Sequence, residues 1–327
     1  MNSRAGIGSN AAMDSILFVK TSSLGDVVHH MPAVTDARKR FPGARLSWVV
    51  EEFFEPLARL HPAIDAVIPV ATRRWRSRPL APATWGDLAE TMHRLREEKF
   101  DRIIDTQGLI RSALIARRAV GEHHGYDAAS IKEPLASRFY DVKHKVARDL
   151  HAVTRNRALT AAALGYQPDE AIDYGLMRPA ASGGARQALL LHGTSRPSKE
   201  WSESHWTDLG RWLRREGFEV ALLWGSDDER RRAERLTSAI PEAHVLDRAP
   251  LDFVASHIAN ASLVVGVDTG LLHLAAAYRV PLVAVFTGSE PALTGPVGSG
   301  PIRVIGGVGA RPEVNDIIAA VEAVLGE

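Results

Sequence analysis

The chain has 327 residues, 45% of them apolar and 24% charged, enough for two ordinary domains with sizeable cores and too apolar for a disordered chain. It contains no cysteine, which excludes disulfides, thiolate catalysis and cysteine-ligated zinc and fits a reducing compartment. A net charge of +1 gives no bulk attraction for nucleic acid, and the apolar runs are too short and too broken by charge for a transmembrane helix.

Residues 1–14 are small and polar and lack the apolar centre of a secretory signal; they are read as a disordered leader, with Met13 a second candidate start. From there strand and helix signals alternate. The first half predicts strands at Ile16–Val19, Leu46–Val50, Ala66–Pro69 and Arg102–Asp105, with helices at Met31–Arg40, Phe53–Leu60 and Trp85–Lys99. The second half predicts strands at Ala188–His192, Glu219–Trp224, Leu263–Val267 and Leu282–Phe286. Its helices are Ser204–Glu216, Asp228–Ser238, Leu271–Ala277 and Asn315–Leu325. Such alternation implies βαβ units and parallel sheets. The aperiodic stretch around "RPAASGGAR" divides the halves, so two α/β domains facing a cleft are expected. The basic excess lies in the first half, with 25 basic against 21 acidic residues up to Asp173 and 15 against 18 beyond it.

Ligands of open α/β sheets bind beyond the carboxyl ends of the strands, and four segments draw attention on that ground. After the first strand comes a loop with two hydroxyls, Ser22 and Ser23, one glycine, Gly25, and one carboxylate, Asp26. "HGTSRPSKEW" offers Thr194 and Ser195 with Arg196 and Lys199, a set suited to a diphosphate, although a solvated loop has the same composition. "WGSDDERRRAERL" opens a helix with acids, either for the helix dipole or for a ribose hydroxyl, and spacing does not choose. "VDTGLLHLAAA" places Asp268, Thr269 and Gly270 at a helix start, where free amides hold phosphate or where Asp268 or Thr269 is merely the cap. Apart from these, "ATRRWRSRP" carries Arg73, Arg74, Arg76 and Arg78 around Trp75 with no acid between them: a solvated loop, or a wall for a large anionic acceptor. No G-x-G-x-x-G or G-x-x-x-x-G-K-[ST] follows a strand, which weighs against nicotinamide dehydrogenases and P-loop enzymes; the remaining rival class is a non-catalytic sugar-nucleotide binding module. The paired histidines 29–30 and 123–124 point apart in regular structure and are not expected to ligate a metal.

Together "VKTSSLGDVVHHMPAV", "WVVEE", "PVATRRWR", "DTQGLIRSAL", "EPLASRFY" and the three second-half motifs resemble the bacterial lipopolysaccharide heptosyltransferases of glycosyltransferase family 9, in order, from Ser15 to the C-terminus. "TSSLGD" and "RRWR" favour the type I branch over type II, which differs in acceptor. The resemblance implies the GT-B fold, an α/β arrangement of two Rossmann-like parallel-sheet domains facing a central cleft. An N-terminal acceptor-binding domain would span 15–175, a linker 176–187, and a C-terminal ADP-sugar-binding domain 188–327, with the final helix crossing back onto the first domain. It implies inverting transfer of L-glycero-D-manno-heptose from ADP-heptose, a substrate, to the first Kdo of Kdo2-lipid A, with no cofactor and no metal. The place of action would be the cytoplasmic face of the inner membrane, held peripherally. By the same resemblance Asp26 is the catalytic base. Ser22, Ser23 and Gly25 lie beside the acceptor, the glycine leaving room for a sugar. Arg73, Arg74 and Arg76 belong to the acceptor side. Thr194, Ser195, Lys199 and the Thr269–Gly270 amides take the diphosphate, Glu229 the nucleoside and Asp268 the heptose, and His273 is a donor-site residue.

Overall fold

A computed structural model describes residues 13–178, 185–194 and 196–327. Most of the expected leader, the centre of the expected linker and Ser195 lie outside the described residues.

The first domain is built from β1 (Ser15–Val19), α1 (Leu24–Arg40), β2 (Arg45–Glu51), α2 (Glu55–Arg59), β3 (Ala66–Val70), α3 (Thr72–Ser77), α4 (Pro82–Glu97), β4 (Lys99–Asp105), α5 (Ile110–Ala116), β5 (Val120–Tyr126), β6 (Val142–His144) and α6 (Ala152–Leu164). The second contains β7 (Gln187–Leu191), α7 (Glu203–Arg215), β8 (Glu219–Leu222), α8 (Asp227–Ala239), β9 (His244–Val245), α9 (Leu251–Asn260), β10 (Leu263–Val267), α10 (Gly270–Ala277), β11 (Leu282–Phe286), α11 (Pro291–Thr294), β12 (Ile302–Gly306) and α12 (Val314–Gly326). Each sheet has six strands, ordered β3-β2-β1-β4-β5-β6 and β12-β11-β10-β7-β8-β9, and the strand pairings are parallel. Numbered within its own half, each sheet has the doubly wound order 3-2-1-4-5-6. Its ligand crevice therefore opens where the order reverses, between β1 and β4 in one sheet and between β7 and β10 in the other.

Strand alternation sets the layers. Leu17 and Val19 of β1 face an outer core with Phe100, Ile103 and Leu95. Ile16 and Phe18 face inward, toward Val27, Val28 and Met31 of α1. That inner cluster continues into Leu272, Leu274 and Ala275 of α10, so one apolar core passes through both domains. Polar ties reinforce the joint: the Tyr174 hydroxyl donates to the Val297 carbonyl at 2.8 Å, and the Arg178 guanidinium to the carbonyls of Ala259 and Ala261 at 3.0 and 2.7 Å.

Three expectations are corrected. Helix α1 begins at Leu24 rather than Met31, because the Asp26 carboxylate accepts from the amide of Ser23 at the N-cap position and Pro32 is tolerated inside the helix. Segments α3, α5, β5, β6, α6, β9, α9, α11 and β12 were not expected; β5, "VGEHHGY", has glycines and histidines where strands usually carry branched residues. The closing helix α12 does not cross back: Ile317, Val321 and Val324 pack into the second domain's outer core, against β11, β12 and α7. It is α6 that returns along the first domain, against α1.

Asp36 of α1 and Arg157 of α6 form a buried ion pair, with Nε donating to Oδ2 at 2.6 Å and a second amine donating to Oδ1 at 3.2 Å. Removing one partner strands the other charge in the core. Asp36→Ala is expected to cost about 3–5 kcal/mol in urea unfolding, whereas a loss below about 1 kcal/mol would mean the pair behaves as a surface bridge.

Candidate active site

The crevice of the first sheet is shaped by the loop after β1. Its backbone is pinned from β4: the Thr21 and Ser22 amides both donate to Gln107 Oε1 at 3.0 Å. Gln107 is held in turn by Asp105, whose Oδ1 accepts from the Gln107 and Gly108 amides at 2.9 and 3.1 Å. Asp105 Oδ2 accepts from the Tyr140 and Ser112 hydroxyls, both at 2.8 Å. Burial pushes the Asp105 carboxyl above its usual value, against these hydrogen bonds. Lys20 runs beneath the loop, donates to the Thr106 carbonyl at 3.1 Å and is held below its ordinary pKa by burial, with Asp26 and Asp105 opposing the shift. Neither Lys20 nor the Asp105–Gln107–Tyr140 chain was singled out from sequence, although "DTQGL" after a strand is the signal that could have found it.

Asp26 sits in the first turn of α1, partly exposed. Its Oδ2 accepts from the Ser23 amide at 2.8 Å and the Ser23 hydroxyl at 3.1 Å, so one oxygen serves as a cap while Oδ1 makes no protein hydrogen bond among the described residues. The expected space over Gly25 is filled: a Cβ there would come within 2.9 Å of the His273 ring, and one on Gly270 within 2.8 Å of the Gly25 amide. Gly25 thus permits the two domains to touch rather than leaving room for a sugar, and the N-terminal turns of α1 and α10 meet at this point.

His273 lies in the joint. Burial lowers its pKa to about 4; the carboxylates of Asp268 and Asp26 oppose the shift, while His151 and Lys199 add to it. One ring therefore feels acids of both domains. It stands 4.1 Å, centroid to centroid, from His29, which is itself 5.5 Å from His151. Burial holds His29 well below its usual pKa, and both of its ring nitrogens lack a partner among the described residues. His151 is fixed as one tautomer, Nε2–H donating to the Gly295 carbonyl at 2.9 Å and Nδ1 accepting from the Val153 amide at 3.2 Å.

On the second sheet Lys199 Nζ meets Asp268 Oδ2 at 2.6 Å, and the Ser289 hydroxyl donates to the same oxygen. The Thr194 hydroxyl donates to the Asp268 carbonyl at 2.9 Å, and Thr269 stands at the N-cap position of α10 without a side-chain capping bond. Glu229 Oε2 accepts from the Gly225 and Ser226 amides at 2.6 and 3.1 Å, while its other oxygen lies against Gly193, where any side chain would collide with it. Glu229, Trp224, Arg248 and Thr269 line a cavity of about 450 Å³ that Phe53 and Pro56 of the first domain complete.

The arginines separate. They stand on α3, not on a loop, so Arg73 and Arg76 share a face and Arg74 is turned about 100° away. Arg74 pairs with Glu52 at 2.9 Å and with Asp87, and is committed to that network. Arg76 lines a groove of about 700 Å³ in the first domain.

Two doubly wound sheets with crevices turned to a shared joint, an acid on one side and a lysine with helix amides on the other, define the GT-B glycosyltransferases. The chain belongs to glycosyltransferase family 9: residues 88–316 match Glycosyltransferase family 9 (heptosyltransferase). It is 42% identical to lipopolysaccharide heptosyltransferase 1 of Escherichia coli strain K12 over 289 residues, 86% of this chain and 91% of that protein. It is 44% identical to the enzyme of the same name from Pseudomonas aeruginosa strain PAO1 over 295 residues, 88% of this chain and 83% of that one. Among solved structures it is similar to E. coli heptosyltransferase WaaC with ADP and with ADP-2-deoxy-2-fluoro heptose, at TM-scores of 0.88 and 0.85. Identity is 38% in both cases, with 94% of this chain and 99% of the other covered.

The histidine cluster makes the joint sensitive to acid. The folded state keeps these rings neutral, whereas the unfolded chain protonates them near pH 6.5. Between about pH 6.5 and about pH 4 the unfolded state binds more protons, so stability falls as pH falls. His29→Leu is expected to leave stability above neutrality within about 1 kcal/mol, since it removes two unpartnered nitrogens, and to flatten the acid limb of the Tm-against-pH curve. An unchanged acid limb would place its origin elsewhere.

Proposed function

We propose that the chain transfers L-glycero-D-manno-heptose from ADP-heptose to the first Kdo of Kdo2-lipid A, inverting the anomeric centre without a metal, at the cytoplasmic face of the inner membrane. What supports this most is the joint itself: the first turn of α1, which carries Asp26, meets the first turn of α10, which follows Asp268 and its partner Lys199, at Gly25, Gly270 and His273. On this reading the base comes from one domain and the leaving-group site from the other, and they face each other across that joint.

The nucleoside occupies the 450 Å³ cavity, with Glu229 presenting a carboxylate oxygen toward the ribose. The diphosphate lies at the N-terminus of α10, over the Thr269 and Gly270 amides, and draws Lys199 from Asp268. Asp268, so released, accepts from heptose hydroxyls. Thr194 and Ser195 are assigned to the diphosphate as well, and the Thr194 hydroxyl would turn from the Asp268 carbonyl to donate to it. On the acceptor side Ser22 and Ser23 line the approach, and Arg73 and Arg76 take the negative charges of the acceptor; Arg74 would have to leave Glu52 and Asp87 to join them. Asp26 accepts the proton of the Kdo hydroxyl as that oxygen attacks the anomeric carbon and the bond to the diphosphate breaks, releasing ADP. Lys199 and the α10 amides stabilise the charge that develops on the leaving oxygen. The identities of 42% and 44% to type 1 heptosyltransferases favour the type I acceptor over that of type II.

Asp26→Ala is expected to lower kcat by about 10² or more with donor affinity nearly unchanged, measured by heptose transfer and by ADP-heptose calorimetry; turnover like the wild type would remove Asp26 from the base role. Lys199→Ala should raise donor KM and lower kcat/KM, and an effect confined to the acceptor would place Lys199 elsewhere. Activity should persist in EDTA, whereas strict dependence on added Mg2+ would mean that Lys199 and the helix amides are not the diphosphate's counter-charge.

A further inference from the structure

The turn joining α3 to α4 is unlike the rest of the surface. Leu80 is 91% exposed at its tip and Trp85, on the first turns of α4, is 61% exposed. A single exposed apolar residue is ordinary, but these two stand five residues apart in a stretch, Ala71 to Gly86, that contains four arginines and no acid. Arg74 is neutralised by Glu52 and Asp87, whereas Arg73, Arg76 and Arg78 are exposed and form no ion pair among the described residues. The same two helices wall the groove of about 700 Å³, which is lined by the apolar Leu88, Met92 and Leu114 and by Arg76, Arg111, Arg118 and Glu133. Apolar tip, aromatic, unpaired cations and an amphiphilic groove thus share one end of the first domain.

We propose that the α3–α4 turn is the segment by which the protein docks on an anionic lipid bilayer, which deepens and rests on the reaction proposed above. Leu80 enters the boundary between headgroups and acyl chains. Trp85 lies at headgroup level, where an indole keeps its N–H wet and its ring apolar. Arg78 meets lipid phosphates, the contact that a negative surface offers a cation, while Arg73 and Arg76 beside it take the charges of the acceptor held in the same bilayer. Among the described residues no helix is long and apolar enough to cross a membrane, so a shallow, reversible contact of this kind brings the groove to the lipid.

The test uses the full chain and two sets of vesicles, phosphatidylglycerol mixed with phosphatidylcholine, and phosphatidylcholine alone. Wild type is expected to sediment with the anionic vesicles and much less with the neutral ones, the difference shrinking at high salt. Leu80→Glu with Trp85→Ser should weaken sedimentation about tenfold or more. Heptose transfer to a soluble, deacylated Kdo-bearing acceptor should be unchanged in that variant, which shows that it is folded and catalytically intact. Unaltered sedimentation of the variant, no binding by wild type, or a change in self-association in place of vesicle binding would each overturn the docking proposal. Absence of transfer to the soluble acceptor by wild type would instead overturn the reaction, and sedimentation would still decide the docking.

Discussion

The contact between the first turns of α1 and α10 is the constraint on which the rest of the molecule depends. Gly25 and Gly270 face each other so closely that a methyl group on either would collide with the opposite domain, and His273 closes over Gly25. Because the inner apolar core continues through this contact, the two sheets are fastened at the point where their crevices open. Each helix follows the strand beside its sheet's switch point. Bringing the helices together therefore brings the two crevices together, and with them Asp26, Lys199 and Asp268.

The same contact has an electrostatic consequence. Two helix N-termini directed at one region place free amides and partial positive charge on both sides of it. The molecule balances this before any ligand arrives. Asp26 caps α1 through Ser23, and Asp268 is held by Lys199 and Ser289. The buried histidines remain neutral and add no charge. On the proposed reaction, the acid that takes the proton and the lysine that holds the leaving group are therefore already oriented by structural partners.

Much of this was legible in the sequence, and the remainder was hidden for physical reasons. Apolar runs ending in small polar loops located β1, β7 and β10 and the segments that follow them, since a buried parallel strand has few alternative readings. Strand β5 was hidden because "VGEHHGY" earns its place through Asp141, which binds His123, and through Tyr140, which packs on Gly125, not through its own propensity. The start of α1 was hidden by Pro32, and with it the fact that Asp26 is a helix residue. Arg74 was grouped with Arg73 and Arg76 because a run of arginines says nothing about which face each occupies; Glu52 and Asp87 decide it. Gly25 was assigned to the acceptor because a glycine beside an acid suggests space, whereas the space belongs to the other domain.

The Lys199–Asp268 pair changes what an empty site looks like to an approaching anion. With the ammonium 2.6 Å from a carboxylate that is itself largely buried, Lys199 is not a free cation. On the proposed assignment binding there is an ion exchange: a mobile phosphate displaces a tethered carboxylate. An orthophosphate, which has nothing to offer the displaced Asp268, must strand that charge, while a sugar diphosphate brings hydroxyls to receive it. On the proposed assignment, discrimination between the donor and the cell's many simpler phosphates is thus built into a side chain that never touches phosphate.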